Sequence, residues 1–328
     1  MAESTLSLTR TKIRREVAWV LNYQRRADTD EGLSTKQDAD VDAIMEAGEA
    51  RFAGAHDWGF LRPRVSFVLW SSVAVDAAVT VAQSGSTTLT ATGGTPFRSS
   101  MVGHSIVITG EGTYTITGYT SSTVVTVDTS DTYTGKTFSI AADGIYRLPD
   151  DFGGMESTQL EYDRDSGHLF LINMVNESII QRAWQINDAT GRPRQAATRV
   201  VENDGTGQRW DLITEPIADT NYTCSFRYNK LPNAMANGTD YGAGGMLMSD
   251  ALLKCCLAAA EEKHFENQNI WAVQEAKALE KAIRFDLRYN RARRLGRTTT
   301  SNFQAVEDAM VGRVTGFVYR GVTYDVEV

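Results

Sequence analysis

"YRLPDDF", residues 146–152, is the stretch on which the fold turns, because it sets a proline and two adjacent carboxylates behind an aromatic and aliphatic run. Pro149 fixes its own backbone and pushes Leu148 towards an extended conformation, so Tyr146 to Leu148 reads as the end of a strand. Asp150 and Asp151 then fall in a turn, where an aspartate side chain bonds nearby backbone amides. A metal site or an acid–base pair would need a third polar partner, and nothing adjacent supplies one. The pair is predicted to shape the chain rather than to do chemistry.

Upstream of this turn the composition changes abruptly. Residues 71–142 are rich in Thr, Ser, Val and Gly and poor in charge. "TYTITGY" and "TVVTVD" alternate around "TSS" as a half-buried hairpin does, and "TTLTA", "HSIVIT" and "KTFSI" supply three further short strands. Five strands separated by turn signals predict a small all-β module inserted into the chain.

Downstream, residues 143–235 form a second β-rich region. "STQLEY" and "HLFLIN" flank the turn "DRDSG", and Asn176 caps a short helix in "NESIIQRAW". The strands "QAATRVVEN", "QRWDLIT" and "YTCSFRY" follow, the first two joined by the turn "DGTG". Asp163, Asp165 and Gly167 in "DRDSG" have the look of a calcium-loop start, but Gly167 stands where a third ligand is needed, so the stretch reads as a hairpin turn.

Helical periodicity marks both ends of the chain. Ile13, Val17, Val20, Leu21 and Tyr23 follow a cap at Thr9 or Thr11, and Val41, Ile44, Met45, Ala47 and Phe52 form a second stripe before Pro63. Near the other end Leu252, Leu253, Cys256, Leu257 and Ala260 make one stripe. Ile270, Val273, Ala276, Leu279, Ala282, Ile283 and Leu287 make another after the polar break "ENQN". The Gly- and Asn-rich residues 233–245 read as a linker. The predicted fold class is α+β: residues 1–62 and 246–295 supply one helical bundle, 143–235 a sandwich-like β-rich domain, 71–142 the inserted module and 296–328 a C-terminal arm. "GRVTGFVYRGVTYDVEV" in that arm alternates as a hairpin with its turn near Arg320-Gly321.

The chemistry-bearing residues are sparse. His56, His104, His168 and His264 lie in four separate segments with no HExxH spacing and no Ser or Cys partner, and no phosphate loop or GxGxxG is present. Cys224, Cys255 and Cys256 are too few for a disulfide framework or a zinc site and read as small buried apolar residues. No catalytic residue, metal or cofactor is predicted. No apolar run is long enough to span a membrane, and "MAESTLSLTR" lacks the apolar core of a signal peptide, so a soluble chain made in a reducing cytosol is expected.

Charge points to partners. The 328-residue chain has a formal charge of −8, which argues against gripping duplex DNA across its surface, since such binding is driven by Lys and Arg. Against that background Arg284, Arg288, Arg291, Arg293, Arg294 and Arg297 gather almost unopposed. Cations complement a helix C-terminus, which accounts for two or three of them; six suit an anionic partner surface. Arg288, Arg291, Arg293, Arg294 and Arg297, with Phe303, Phe317, Tyr319 and Tyr324 from the arm, are the candidate docking residues, through strand addition or aromatic anchors.

Taken in order, the N-terminal helices, "YRLPDDFGGM", "GRP" at 191–193, "RWDLITEP" at 209–216, "YTCSFRYNKLP" at 222–232 and the helical "ALEKAIRFDLR" resemble the head-to-tail adaptor proteins of tailed bacteriophages. The match is nearest to the tail tubular protein A type of short-tailed phages and covers most of residues 6–295. The resemblance implies a virion protein without enzymatic turnover, made in the host cytoplasm and placed at the head–tail junction. It implies a ring, generally twelvefold, whose partners are its own copies, the portal protein and the tail nozzle or tube, with genomic DNA passing unbound and no membrane contact. An alternative from the residues themselves is a receptor- or carbohydrate-binding tail protein, with Trp70, Tyr114, Tyr119 and Tyr133 as aromatic surface.

Overall fold

The computed structural model describes residues 3–23, 33–163, 171–186, 189–201, 207–264, 270–290, 316–319 and 322–325. The chain divides into two compact units, Met1–Ile283 and Arg284–Val328. It is a mixed α+β fold with helices at both ends of the first unit and, between them, a large sheet, a five-stranded sheet and a two-stranded pair among the described residues.

Helix α1 (Arg10–Val20) starts at Thr9, whose hydroxyl accepts the Lys12 N–H, and buries Ile13, Val17 and Ala18. Helix α2 (Thr35–Gly54) opens on a reciprocal capping box between Ser34 and Gln37. It buries Val41, Ile44, Met45, Gly48 and Phe52, while the expected Ala47 is exposed and Gly48 takes the inward place. Its far end is stopped by Trp58, whose indole N–H donates to the Phe52 carbonyl at 2.8 Å while the two rings stack. Helix α3 (Glu177–Ile186) begins where the Asn176 side chain accepts the Ser178 N–H at 3.0 Å.

Helix α4 (Met246–His264) is apolar around most of its girth and packs against both α1 and α2. A Cβ at Gly48 would lie 2.5 Å from the Cys256 Cα, so α2 and α4 meet backbone to backbone. Small residues at that crossing admit the close approach, which explains a Gly, an Ala run and two cysteines where larger side chains fill other bundles. Helix α5 (Ile270–Asn290) differs: of its sequence-derived stripe only Ala282 is buried, and Ile270 and Val273 are more than half exposed. Its start is fastened to α4 by the buried Glu261, which accepts the N–H groups of Ile270, Trp271 and Ala272 at 2.8, 2.8 and 3.2 Å.

The strands in chain order are β1 (Arg64–Leu69), β2 (Thr80–Thr92), β3 (Ser105–Ile108), β4 (Gly112–Ser121), β5 (Val124–Lys136), β6 (Phe138–Ile140), β7 (Ile145–Arg147) and β8 (Phe152–Met155). There follow β9 (Gln159–Tyr162), β10 (Ile172–Met174), β11 (Thr190–Gly191), β12 (Gln195–Val201), β13 (Arg209–Glu215), β14 (Ile217–Ala218) and β15 (Tyr222–Lys230). The larger sheet runs β1-β15-β9-β10-β12-β13-β7, with β8 also on β15. Its two ends curl towards each other: Tyr146 of β7 meets Phe67 of β1 edge to face and donates its hydroxyl to the Trp70 carbonyl at 3.2 Å.

Residues 80–140 make the second sheet, ordered β2-β5-β4-β3-β6, and all five expected strand segments fall within it. The long β2–β5 pair carries register shifts around Ser84 to Thr88. The buried Gln83 satisfies what these shifts leave open, donating its amide to the Ser86 and Thr129 carbonyls at 2.6 Å each and accepting the Tyr133 hydroxyl at 2.8 Å. One continuous apolar cluster joins both sheets, running from Leu89, Ile106 and Phe138 through Trp70 and Tyr146 to Leu212 and Phe226. In the second unit β16 (Gly316–Tyr319) pairs antiparallel with β17 (Val322–Asp325), as the alternation predicts, and the expected turn at Arg320-Gly321 lies outside the described residues.

Candidate functional site

The YRLPDDF stretch is built as a joint. Phe152 donates its N–H to the Pro149 carbonyl at 3.0 Å, closing the turn between β7 and β8. Asp151 holds β15 there: its carboxylate accepts the Tyr228 hydroxyl at 2.9 Å and pairs with Lys230 at 3.0 Å, and its carbonyl accepts the Leu231 N–H at 2.7 Å. Asp150 points outward, 82% exposed, with Arg209 at 3.9 Å, a pair worth at most about 1 kcal/mol. Arg147 lies in a row across three strands, because Arg199, Asp211 and Arg147 are register partners in β12, β13 and β7. Asp211 is shared by the two guanidinium groups at 3.5 and 3.3 Å.

The neck between the two sheets carries a His–Asp latch. His104 is buried edge-on against Trp70, its Nε2 lies 3.0 Å from Asp143 Oδ1, and its Nδ1 lies 3.3 Å from the Met101 carbonyl. Both ring nitrogens face oxygen acceptors, an arrangement that the doubly protonated ring satisfies. Burial alone would depress the His104 pKa; the Asp143 carboxylate outweighs it and raises the value, and His104 in turn lowers Asp143 against its own burial. The same Asp143 oxygen accepts the Ile145 N–H at 3.0 Å, tying the latch to the start of β7.

The other sequence candidates separate. His264 and Lys263 at the end of α4 both pair with Asp40 of α2, which also accepts the Tyr23 hydroxyl; Lys263 is the chief cause of the lowered Asp40 pKa. His56 stacks edge-on to Trp58, and His168 lies outside the described residues. Cys224, Cys255 and Cys256 are free and buried. Of the calcium-like stretch only Asp163 is described. Among the described residues no cluster of three or more His, Cys, Asp or Glu is arranged to hold a metal.

Trp70, Tyr114 and Tyr133 are core residues, at 1%, 6% and 5% exposure, which leaves Tyr119 alone of the four aromatics proposed as sugar-binding surface. Strand alternation puts Tyr114 of β4 and Tyr133 of β5 inward, and Trp70, just past the end of β1, packs in the cluster shared by both sheets.

Of the arginine cluster, Arg284 and the docking candidate Arg288 are exposed on α5, and the Arg288 guanidinium stands 5.7 Å from the Phe285 ring centroid. Arg291, Arg293, Arg294, Arg297 and Phe303 lie outside the described residues. Phe317 and Tyr324 are register partners in the β16–β17 hairpin, and Tyr319 pairs with Val322. Glu261, Asp40 and Glu49 escaped the sequence reading. Each is a single acidic residue on a helix, and its importance comes from partners distant in sequence.

No helix is long and apolar enough to cross a membrane among the described residues. No curated protein matches the chain. The SU10 adaptor protein family model matches residues 111–303, from the second sheet's β3–β4 turn through the strands β4 to β15 and both helices α4 and α5. That span is more than half of the 328 residues, and the chain belongs to the SU10 adaptor protein family, a family of structural phage head–tail adaptors.

Proposed function

We propose that the chain forms a closed ring, twelvefold, beneath the portal vertex and joins the DNA-filled head to the tail tube or nozzle, in the manner of the tail tubular protein A type. The observation that carries this reading is the adaptor family match over residues 111–303. The genome passes through the lumen without being gripped: a net charge of −8 favours a wall that repels phosphate over one that traps it. The ring turns over no substrate, resides in the virion at the head–tail junction after synthesis in the host cytoplasm, and makes no membrane contact. Residues 296–328, with Arg288, Arg291, Arg293, Arg294 and Arg297, bind the portal or an adjacent subunit, the arginines steering an acidic surface and Phe303, Phe317, Tyr319 and Tyr324 anchoring it.

Electron microscopy of the purified chain, alone and with its portal, tests this. Rings of uniform symmetry that cap the portal are expected, and truncation after Gly296 should leave a folded protein that no longer docks. Glutamine at the five arginines should weaken docking most at low salt, where attraction is least screened. A monomer that ignores the portal, or docking unchanged by truncation, would overturn the corresponding part of the reading.

A further inference from the structure

A half-open cavity of about 250 Å³ lies between α2, the start of α4 and the chain crossing from β15 to α4. Its walls are Phe52, Phe60, Met235, Tyr241 and Leu252, with Glu49 among them. Lys230, Pro232 and Asn233 are exposed and form its mouth. The crossing segment is held in place by backbone bonds from Arg10 to Asp240 at 2.8 Å and from Thr11 to Gly238 at 3.1 Å. The cavity is therefore a built feature of the bundle.

Glu49 is the one carboxylate in this wall. Its Oε2 accepts the Met235 N–H at 3.0 Å, and burial raises its pKa, with the Met235 bond opposing. Arg10, whose charge reaches Glu49 and lowers its pKa, pairs with Asp42 at 2.8 Å, and Lys230 at the mouth pairs with Asp151 at 3.0 Å. Among the described residues Glu49 has no ion pair within 4 Å, and the more distant charge of Arg10 does not offset the cost of its burial. Three aromatic rings and one carboxylate line the same cavity, and that is the chemistry that holds an organic cation, through ring quadrupole and charge together.

We propose that this cavity binds a cationic side chain of a partner protein, an alkylguanidinium or alkylammonium group whose stem lies on Phe52, Phe60 and Leu252 and whose head meets Glu49. Size decides for a side chain over a free ligand, because small-molecule pockets run to roughly 300–1,000 Å³ and this one is below that range. The site does not depend on ring formation, so its failure would leave the adaptor reading standing, and the reverse holds too.

The test is titration of the full chain with 1-butylguanidinium, 1-butylammonium and neutral butylurea, read from the methyl NMR signals of Met235 and Leu252. At least one cation is expected to shift both signals with a Kd on the order of 1–10 mM, as its few atoms allow. Butylurea should bind about tenfold more weakly, and Glu49→Gln should remove that preference. Ala53 of α2 also lines the cavity, and Ala53→Leu, which fills it from that side, should abolish the shifts while circular dichroism stays unchanged. No shift by either cation up to about 50 mM, equal binding of butylurea, or an unaffected Glu49→Gln would overturn the proposal.

Discussion

Two residues at the neck of the second sheet convert a sequence of unremarkable polarity into a joint with a defined pH response. His104 has a folded pKa above its ordinary 6.5, so its contribution to stability is complete below that value and is lost as pH rises through the raised one. Asp143 is lowered from 3.8, so its share is present above that value and disappears as pH falls through the depressed one. The latch is therefore strongest between the two. Replacing His104 by glutamine, which still donates to Asp143, should cost about 1–2 kcal/mol near pH 6. The gap between wild type and variant should narrow as pH climbs past neutrality. Urea melts across that range check it, and a gap independent of pH would refute the assignment.

At the scale of elements, the helix pair α4–α5 depends on one side chain. Glu261 is 5% exposed and accepts three consecutive N–H groups that α5 cannot satisfy for itself. Glu261→Ala should leave those donors open, cost about 1–3 kcal/mol and raise hydrogen exchange at Ile270, Trp271 and Ala272 before the rest of α5. Unchanged exchange at these amides would show that water or another group replaces the carboxylate. Helix α5 needs such a fastening because its own apolar stripe gains little burial: Val273 is 53% and Ile270 54% exposed. Amphipathic periodicity located this helix correctly, but periodicity reports only that an apolar face exists. It does not report whether that face meets this chain.

For the whole molecule, residues 71–142 are proposed as an inserted module, and the structure adds a condition. The chain leaves the large sheet at Trp70 and returns at Tyr146, whose hydroxyl reaches the Trp70 carbonyl, so the two ends of the insertion are adjacent. Excising residues 74–141 through a short linker should therefore give a protein that still folds. The same cut strips His104 from Trp70 and opens the cluster shared by both sheets. A cooperative thermal transition is expected, lowered by several degrees, with ring and portal attachment retained. Aggregation, or a melt without a transition, would show that the larger sheet cannot stand without the smaller one.

The sequence by itself determined the elements and their order: strand periodicity in residues 80–140, helical stripes at both ends, and a turn at Pro149 all rest on local backbone preference and alternation. The turn reading of Asp150 and Asp151 followed from proline and aspartate chemistry within six residues, and the antiparallel pairing of Gly316–Tyr319 with Val322–Asp325 from alternation alone. Only the tertiary structure decided which acidic groups matter. Glu49, Asp40, Asp143, Asp211 and Glu261 are unremarkable in sequence, and each acquires its partners from another element. It also decided that Trp70, Tyr114 and Tyr133 face inward while Tyr119 is left at the surface. The physical reason is range: dihedral preference and side-chain period act over a few residues and are written in the chain. Burial and charge pairing depend on neighbours that only the folded backbone brings within a few ångströms.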